Sequence, residues 1–266
     1  MDMELQQQHV LITGGSKGIG LACARLFLRE GARVTLVSRA LANLDAARQA
    51  LVQEIVGADD RIRVLCADLR DSGAADAMLA QAQADAGAVD ILVNCAGAAR
   101  RTPPAELTAQ VWLDAMQAKY FTYIHVIDPL IKQMGQRRKG VIVTVVGMGG
   151  KMASPTHLPG GSANAALMLA SVGLANAYAR QGVRVNVVNP GLTLTERLQE
   201  GLQADARLQQ ISPEAALSLA SERLPLGRIA EPGEIANAVV FLASPKASYI
   251  NGAVLSMDGG LSPIVV

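Results

Sequence analysis

The stretch Thr13-Gly14-Gly15-Ser16-Lys17-Gly18-Ile19-Gly20 decides how the whole chain reads. It follows a short β-branched run, 10–13, and opens an Ala- and Leu-rich run, 19–30. A strand that turns straight into a helix needs backbone freedom at the turn, and glycine supplies it. The helix aims its free N–H groups and the positive end of its dipole back at that turn, where a pyrophosphate would sit. Glycines alone say little. A strand before them and a helix after them supply the required context.

The same alternation continues outward. Strand-like runs fall at 10–13, 33–38, 61–67, 89–94, 140–146, 183–188 and 253–257. Helical runs fall between them at 19–30, 41–56, 72–86, 108–134, 162–180 and 231–242. The strands are hydrophobic almost throughout, which suits parallel strands covered on both faces. The pattern predicts right-handed crossovers and an α/β fold, a doubly wound parallel sheet of about seven strands with helices on both faces. Gly31 and Gly182 follow helices where a left-handed residue is wanted, and Pro232 suits a first helical position. Gly160-Gly161 reads as a turn before its helix, or as room for a bulky substrate or for the backbone to approach one. Residues 1–266 read as one domain, in which 193–226 breaks the rhythm with polar helical pieces, as a substrate lid would.

Composition narrows the function classes. Lys plus Arg number 24 and Asp plus Glu 23, so no electrostatic footprint for nucleic acid or an anionic membrane is present. Aromatics make up 3%, too few for a base-stacking surface. Cys23, Cys66 and Cys95 form no CxxC pair, which leaves no metal framework and implies three buried thiols in a reducing compartment. The start is polar and acidic without a secretory pattern, so a cytoplasmic location is expected. The segment 152–179 has no charged residue, yet its prolines, glycines and asparagines break it too often for a membrane span. Its helix reads as buried on most sides, deep in the domain or against another subunit.

These landmarks together resemble the short-chain dehydrogenases/reductases, a Rossmann-type family. The glycine pattern at Thr13, Gly14, Gly18 and Gly20 is theirs, with Ser16, Lys17 and Ile19 inside it. Asp68-Leu69 stands where the family contacts adenine. Asn94-Cys95-Ala96-Gly97 resembles the motif that ends its fourth strand. Asn189-Pro190-Gly191-Leu192-Thr193 resembles the loop that holds the nicotinamide, with Thr195 where a hydroxyl meets the carboxamide. Asp258-Gly259-Gly260 matches the family's C-terminal turn. The resemblance implies a nicotinamide cofactor, a small-molecule substrate and pairing of subunits through two helices, as a homodimer or homotetramer. The second strand ends Ser38-Arg39 and carries no acid for a ribose 2′-OH. Arg39, with Lys17, suits a 2′-phosphate instead, so NADP(H) is expected over NAD(H).

The catalytic positions do not follow the family. Its Tyr, the proton donor, falls on Gly160, and its Lys four residues later falls on Asn164. Its Ser falls on Gly147, and its relay Asn, counted from Trp112, falls on Lys119. No Tyr lies between Tyr123 and Tyr178, so no small shift restores the pattern. Two groups could substitute. A buried lysine at 119 could act as acid or base. Histidine as a residue type can exchange a proton near neutrality, and His157 lies three residues before Gly160. Asn164 could still bond the cofactor's ribose. The plainer alternative leaves Lys119 and His157 on the surface. Three readings stay open: an NADP-dependent oxidoreductase with an atypical proton donor, a non-redox lyase or isomerase in the same pocket, and a cofactor-binding sensor or inactive partner subunit.

Overall fold

A computed structural model describes residues 2–97, 99–196, 198–199, 202–203, 206 and 210–263. Seven strands run parallel in the order β3-β2-β1-β4-β5-β6-β7. They are β1 (His9–Thr13), β2 (Arg33–Ser38), β3 (Ile62–Cys66), β4 (Ile91–Asn94), β5 (Gly140–Val145), β6 (Val183–Pro190) and β7 (Val254–Met257). The order reverses between β1 and β4, whose registers bring Thr13 level with Asn94. Such a switch point opens a crevice at the carboxyl ends of the strands.

Helices cover both faces. α1 (Gly18–Arg29), α2 (Leu41–Glu54) and α3 (Ser72–Ala86) follow the first three strands. α4 (Ala109–Ala115) and α5 (Thr122–Gln136) follow β4, α6 (Leu158–Tyr178) follows β5, and α7 (Pro213–Glu222) and α8 (Pro232–Ala243) come last. One core packs α1, α2 and α8 on one face through Phe27, Leu44 and Val239. The other packs α3, α5 and α6 on the opposite face through Leu79, Tyr123 and Leu167. The alternative of a membrane span has its only candidate among the described residues in Leu158–Gln181, long and apolar enough by composition. That helix lies against the sheet and buries Asn164 and Ser171 in the domain.

Local signals explain most boundaries. Gly31 (φ 80°) and Gly182 (φ 71°) take the left-handed conformation that stops the preceding turns. Asp71 caps α3 by accepting from Ala74 N at 2.7 Å. Pro232 starts α8, with Glu231 and Glu234 forming a reciprocal cap.

Several expectations are corrected. Gly160 and Gly161 lie inside α6, because Pro159 can occupy its first turn, so the helix begins before the glycines. The helix expected over 108–134 widens into a π-helical segment at Met116–Phe121. Cys66 is exposed, its strand ending at the surface, and Cys95 is half-buried. Cys23 is buried, and a hydrogen bond with Cys95 raises its thiol well above the usual range. α6 is buried along one face only, and Leu169 on it is 77% exposed. Part of the segment read as a lid lies outside the described residues.

His9 supplies a pH test of this architecture. Its ring is fully buried, with Nδ1 2.8 Å from Gly87 O and Nε2 2.9 Å from Thr35 Oγ1. Burial pushes its pKa below the ordinary 6.5. The unfolded chain therefore takes the proton first, and stability is fully present above pH 6.5 and is lost as pH falls toward the lower folded value. Thermal denaturation should show Tm dropping as pH falls below 6.5, with His9→Gln flattening that part of the curve. Identical slopes in the two proteins would show that His9 carries none of it.

Candidate active site

The switch point holds a cleft of about 540 Å³, within the usual range of about 300–1,000 Å³ for small-molecule sites. Gly14, Ser16 and Lys17 line it from the first turn, and Ser38 and Arg39 from the end of β2. Asp68 and Leu69 come from the end of β3, and Ala96 and Gly97 from the end of β4. These nine expected cofactor residues therefore converge although they come from four separate loops.

Glycine is required here by close backbone approach. A Cβ on Gly14 would lie 2.8 Å from Ala96 N, and one on Gly20 would overlap Gly14 O. The first turn is thus folded tightly onto α1 and onto the loop after β4. Gly18 (φ 53°) opens α1 with Ile19 beside it in the first helical turn, so that turn's N–H groups face the cleft end of the sheet. Thr13 and Asn94 do not line the cleft. They are fully buried beneath it, where Thr13 Oγ1 donates to Asn94 Oδ1 at 3.0 Å. Asn94 Nδ2 is buried without a hydrogen-bond partner.

The loop expected to hold a nicotinamide takes a separate position. Pro190 ends β6 opposite Met257, and Gly191 N donates to Met257 O at 3.0 Å. Leu192 and Thr193 run on beside Ala230, with Thr193 paired to it in a parallel bridge. Thr195 accepts from Leu198 N at 3.3 Å, so its hydroxyl caps the next turn. A Cβ on Gly18 would sit 3.1 Å from Thr195 Cγ2, which shows how closely this loop approaches the glycine turn. Lys17 pairs with Glu196 at 2.7 Å across the same junction.

The cleft also contains a residue that sequence reading missed. Arg70 lines it and grips Asp68, with Nε 3.0 Å from both carboxylate oxygens. The Arg70 guanidinium holds the Asp68 carboxyl below the usual carboxylate range. Asp68 thus stays an acceptor at neutral pH. The nearest signal in the sequence was an arginine two residues beyond Asp68, which fixes no side-chain direction.

A second, smaller cavity of about 80 Å³ adjoins the cleft at Gly97, which lines both. Lys119, His157, Gly160 and Asn164 line it. These catalytic candidates, separated by up to 45 positions, thus meet in one place. Gly147 borders it through Asn164, whose Nδ2 is 3.5 Å from Gly147 O.

Each of these positions has a local reason. The π-helical turn carries Lys119 inward until it is only 7% exposed. Such widened turns recur at functional sites. Gly97 (φ 88°) fits tightly against this turn, since a Cβ on it would lie 2.5 Å from Ala118 O. The Lys119 ammonium donates to Tyr123 Oη at 2.8 Å and to Val145 O at 3.4 Å. His157 caps the start of α6, and Gly161 N donates to its carbonyl at 2.7 Å. A Cβ on Gly160 would overlap its ring, and one on Gly149 would come within 2.9 Å of it. Gly160 and Gly149 therefore make room for the His157 imidazole. Gly147 has φ 125° and ψ 143°, which side chains rarely adopt. Asn164 is buried and its Oδ1 has no hydrogen-bond partner. Among the described residues, no cluster of His, Cys, Asp or Glu could hold a metal.

Comparison with known proteins agrees with this geometry. Residues 14–262 match the family model described as enoyl-(acyl carrier protein) reductase. The gluconate 5-dehydrogenase of Gluconobacter oxydans is 32% identical over 258 residues, 97% of this chain and 96% of its own. The 3alpha-hydroxysteroid dehydrogenase of Mediterraneibacter gnavus is 33% identical over 263 residues, 97% of this chain and 98% of its own. L-Sorbose reductase from Gluconobacter frateurii, solved with NADPH and L-sorbose, superposes with a TM-score of 0.93 at 28% identity, covering 100% of both chains. The NADPH-bound short-chain oxidoreductase of Pseudomonas aeruginosa PAO1, which contains an atypical catalytic center, superposes with a TM-score of 0.87 at 32% identity, covering 98% of this chain and 100% of that one. With a match over nearly its full length and the switch-point cleft in place, the chain belongs to the short-chain dehydrogenase/reductase family of oxidoreductases.

Proposed function

We propose that the protein is an NADP(H)-dependent oxidoreductase of a carbonyl or hydroxyl compound, in which Lys119 replaces the family's tyrosine as proton donor. One observation carries this reading. The buried Lys119 ammonium lines a cavity that joins the dinucleotide cleft at Gly97. The P. aeruginosa protein, 32% identical and described as having an atypical catalytic center, makes a departure from the family's usual groups a reasonable expectation here.

The residues present fit the cofactor. The glycine turn and the start of α1 suit its pyrophosphate, and Asp68 and Leu69 suit its adenine. Arg39 lines the cleft at the end of β2 and suits a 2′-phosphate. Lys17 is held by Glu196, but exposed pairs of this kind are worth about 0–1 kcal/mol and exchange readily. Asn164 Oδ1, buried without a partner, suits a ribose hydroxyl. When bound, the cofactor supplies or takes up hydride. The protein's own part is the proton. Lys119 Nζ donates it to the substrate oxygen as the carbonyl is reduced, and that oxygen becomes a hydroxyl. His157, half-buried between this cavity and the surface, returns a proton to Lys119 from solvent. Gly147 and Gly160 contribute backbone only, in place of the hydroxyl-bearing side chains that the family resemblance implies.

A cavity of about 80 Å³ admits a reacting group and not a whole substrate. The segment 193–226 is proposed as the lid that holds the rest of the substrate. Fluorescence titration with NADPH and NADH, followed by NADPH consumption against a panel of ketones, tests the proposal. Binding without consumption of NADPH by any carbonyl class would favour the sensor or inactive-partner reading. Binding of neither cofactor would overturn the proposal.

The same reading includes a homodimer or homotetramer built on the uncharged helix α6. Leu169 on α6 and Leu113 on α4 are 77% and 63% exposed, and the two helices are neighbours. Exposed apolar faces of this kind are usually covered by a partner. Leu169→Glu should shift the species seen by light scattering at micromolar concentration toward monomer. An unmodified protein that is already monomeric would contradict the assembly.

A further inference from the structure

We infer that Tyr123 is a positioning residue for Lys119, fixing the ammonium at the cavity wall and raising the pH at which it gives up its proton. The inference rests on the reading of Lys119 as the cation of the site.

The geometry is a directed chain. The Lys119 ammonium donates to Tyr123 Oη at 2.8 Å, and Tyr123 Oη donates onward to Val145 O at 2.7 Å. Val145 ends β5, so the phenol is anchored to the end of an interior strand of the sheet. Lys119 lies in the π-helical segment and Tyr123 four residues later in α5, so the two side chains share one helical face. The ammonium also stands 4.5 Å from the centre of the Tyr123 ring. One aromatic residue therefore offers the cation both an acceptor oxygen and a π face.

Physical chemistry gives this contact a consequence. Burial disfavours a charged lysine, whereas an acceptor and a π face favour it. Tyr123 is fully buried, so its interaction with the cation is little screened. Val145 O, at 3.4 Å, is the other acceptor on the sheet side. From α6 and its cap, the cavity presents His157 and Asn164, and the described residues that line it include no carboxylate. Tyr123 is thus a short, buried contact that favours the protonated form of Lys119. It does not line the cavity and has no access to substrate, so it acts through Lys119.

The test is a titration of the lysine itself. The chain has six lysines, and Lys119→Met identifies the signal of Lys119 in protein labelled with 13C and 15N at lysine. Tyr123→Phe keeps the ring and removes only the oxygen. It should lower the titration midpoint of Lys119 by about one pH unit, while the other five lysines stay put. An unchanged midpoint in a folded variant would overturn the inference. Should Tyr123→Phe fail to fold, the tyrosine 13Cζ spectrum of Lys119→Met decides. One of the four tyrosine signals should move, and no movement would overturn the inference. NADPH added to the unmodified protein separates the two levels. A Lys119 signal that ignores NADPH refutes the reading of the site. A signal that responds to NADPH but not to Tyr123→Phe refutes the role of Tyr123 alone.

Discussion

Lys119→Met is expected to lower NADPH-coupled turnover by about 100- to 10,000-fold, the range that a positioned acid or base supplies. Methionine keeps the length and apolar bulk of the lysine stem and deletes the charge. It leaves Tyr123 with its bond to Val145 O intact, so the π-helical turn should hold. The cofactor cleft is lined by Ala118 and Thr122 from this helix and not by Lys119, so NADPH affinity should stay unchanged. The measurement is the pairing of NADPH fluorescence titration with steady-state rates on whichever carbonyl the panel identifies. Equal loss of binding and rate would show that Lys119 supports structure. Full activity would show that the proton comes from elsewhere, with His157 the next group to replace.

Arg39→Asp is expected to weaken NADPH binding by about 10- to 100-fold and to bring NADH to equal or better affinity. A charge-assisted pair with a phosphate contributes about 1.5–3 kcal/mol. The substitution also places a carboxylate where the 2′-phosphate would lie and where a 2′-OH could be bound. Arg70, in the loop after the neighbouring strand β3, is paired with Asp68 and would have to leave it to replace Arg39. Titrations of both cofactors against both proteins check the swap. Equal affinities for NADPH and NADH in the unmodified protein would remove the basis for the preference.

The sheet was legible because its signals are local. Val10, Leu11 and Ile12 lie in a run that must be buried on both faces, and the turn at Gly14 to Gly20 permits little besides a strand entering a helix. The N-terminal boundary of α6 was not legible. Two consecutive glycines normally mark a turn, but here they lie within a helix, where His157 occupies the volume a side chain at 160 would need and Gly149 O the volume one at 161 would need. That volume is a tertiary fact, set by the loop at Gly149 folding back onto α6. The candidates at 119, 147, 160 and 164 were drawn from the family resemblance. Their convergence was not, because it depends on the π-helical widening at Met116–Phe121, for which a short run of sequence gives no periodic sign. Tyr123 was named only as the last tyrosine before a gap. Its pairing with Lys119 became visible once the helix placed both side chains against the end of β5. The pair of Arg70 with Asp68 was likewise hidden in side-chain direction.

A crystal structure with NADPH bound tests the central claim most directly, since it locates every group around the nicotinamide C4. The predicted result has Lys119 Nζ within about 2.6–3.2 Å of the cofactor, of a bound carbonyl or of one bridging water, with Asn164 at the ribose. A structure in which NADPH fills the cleft while the ammonium points away from the nicotinamide would contradict the account. It would favour a member of the family that holds its cofactor without turning it over.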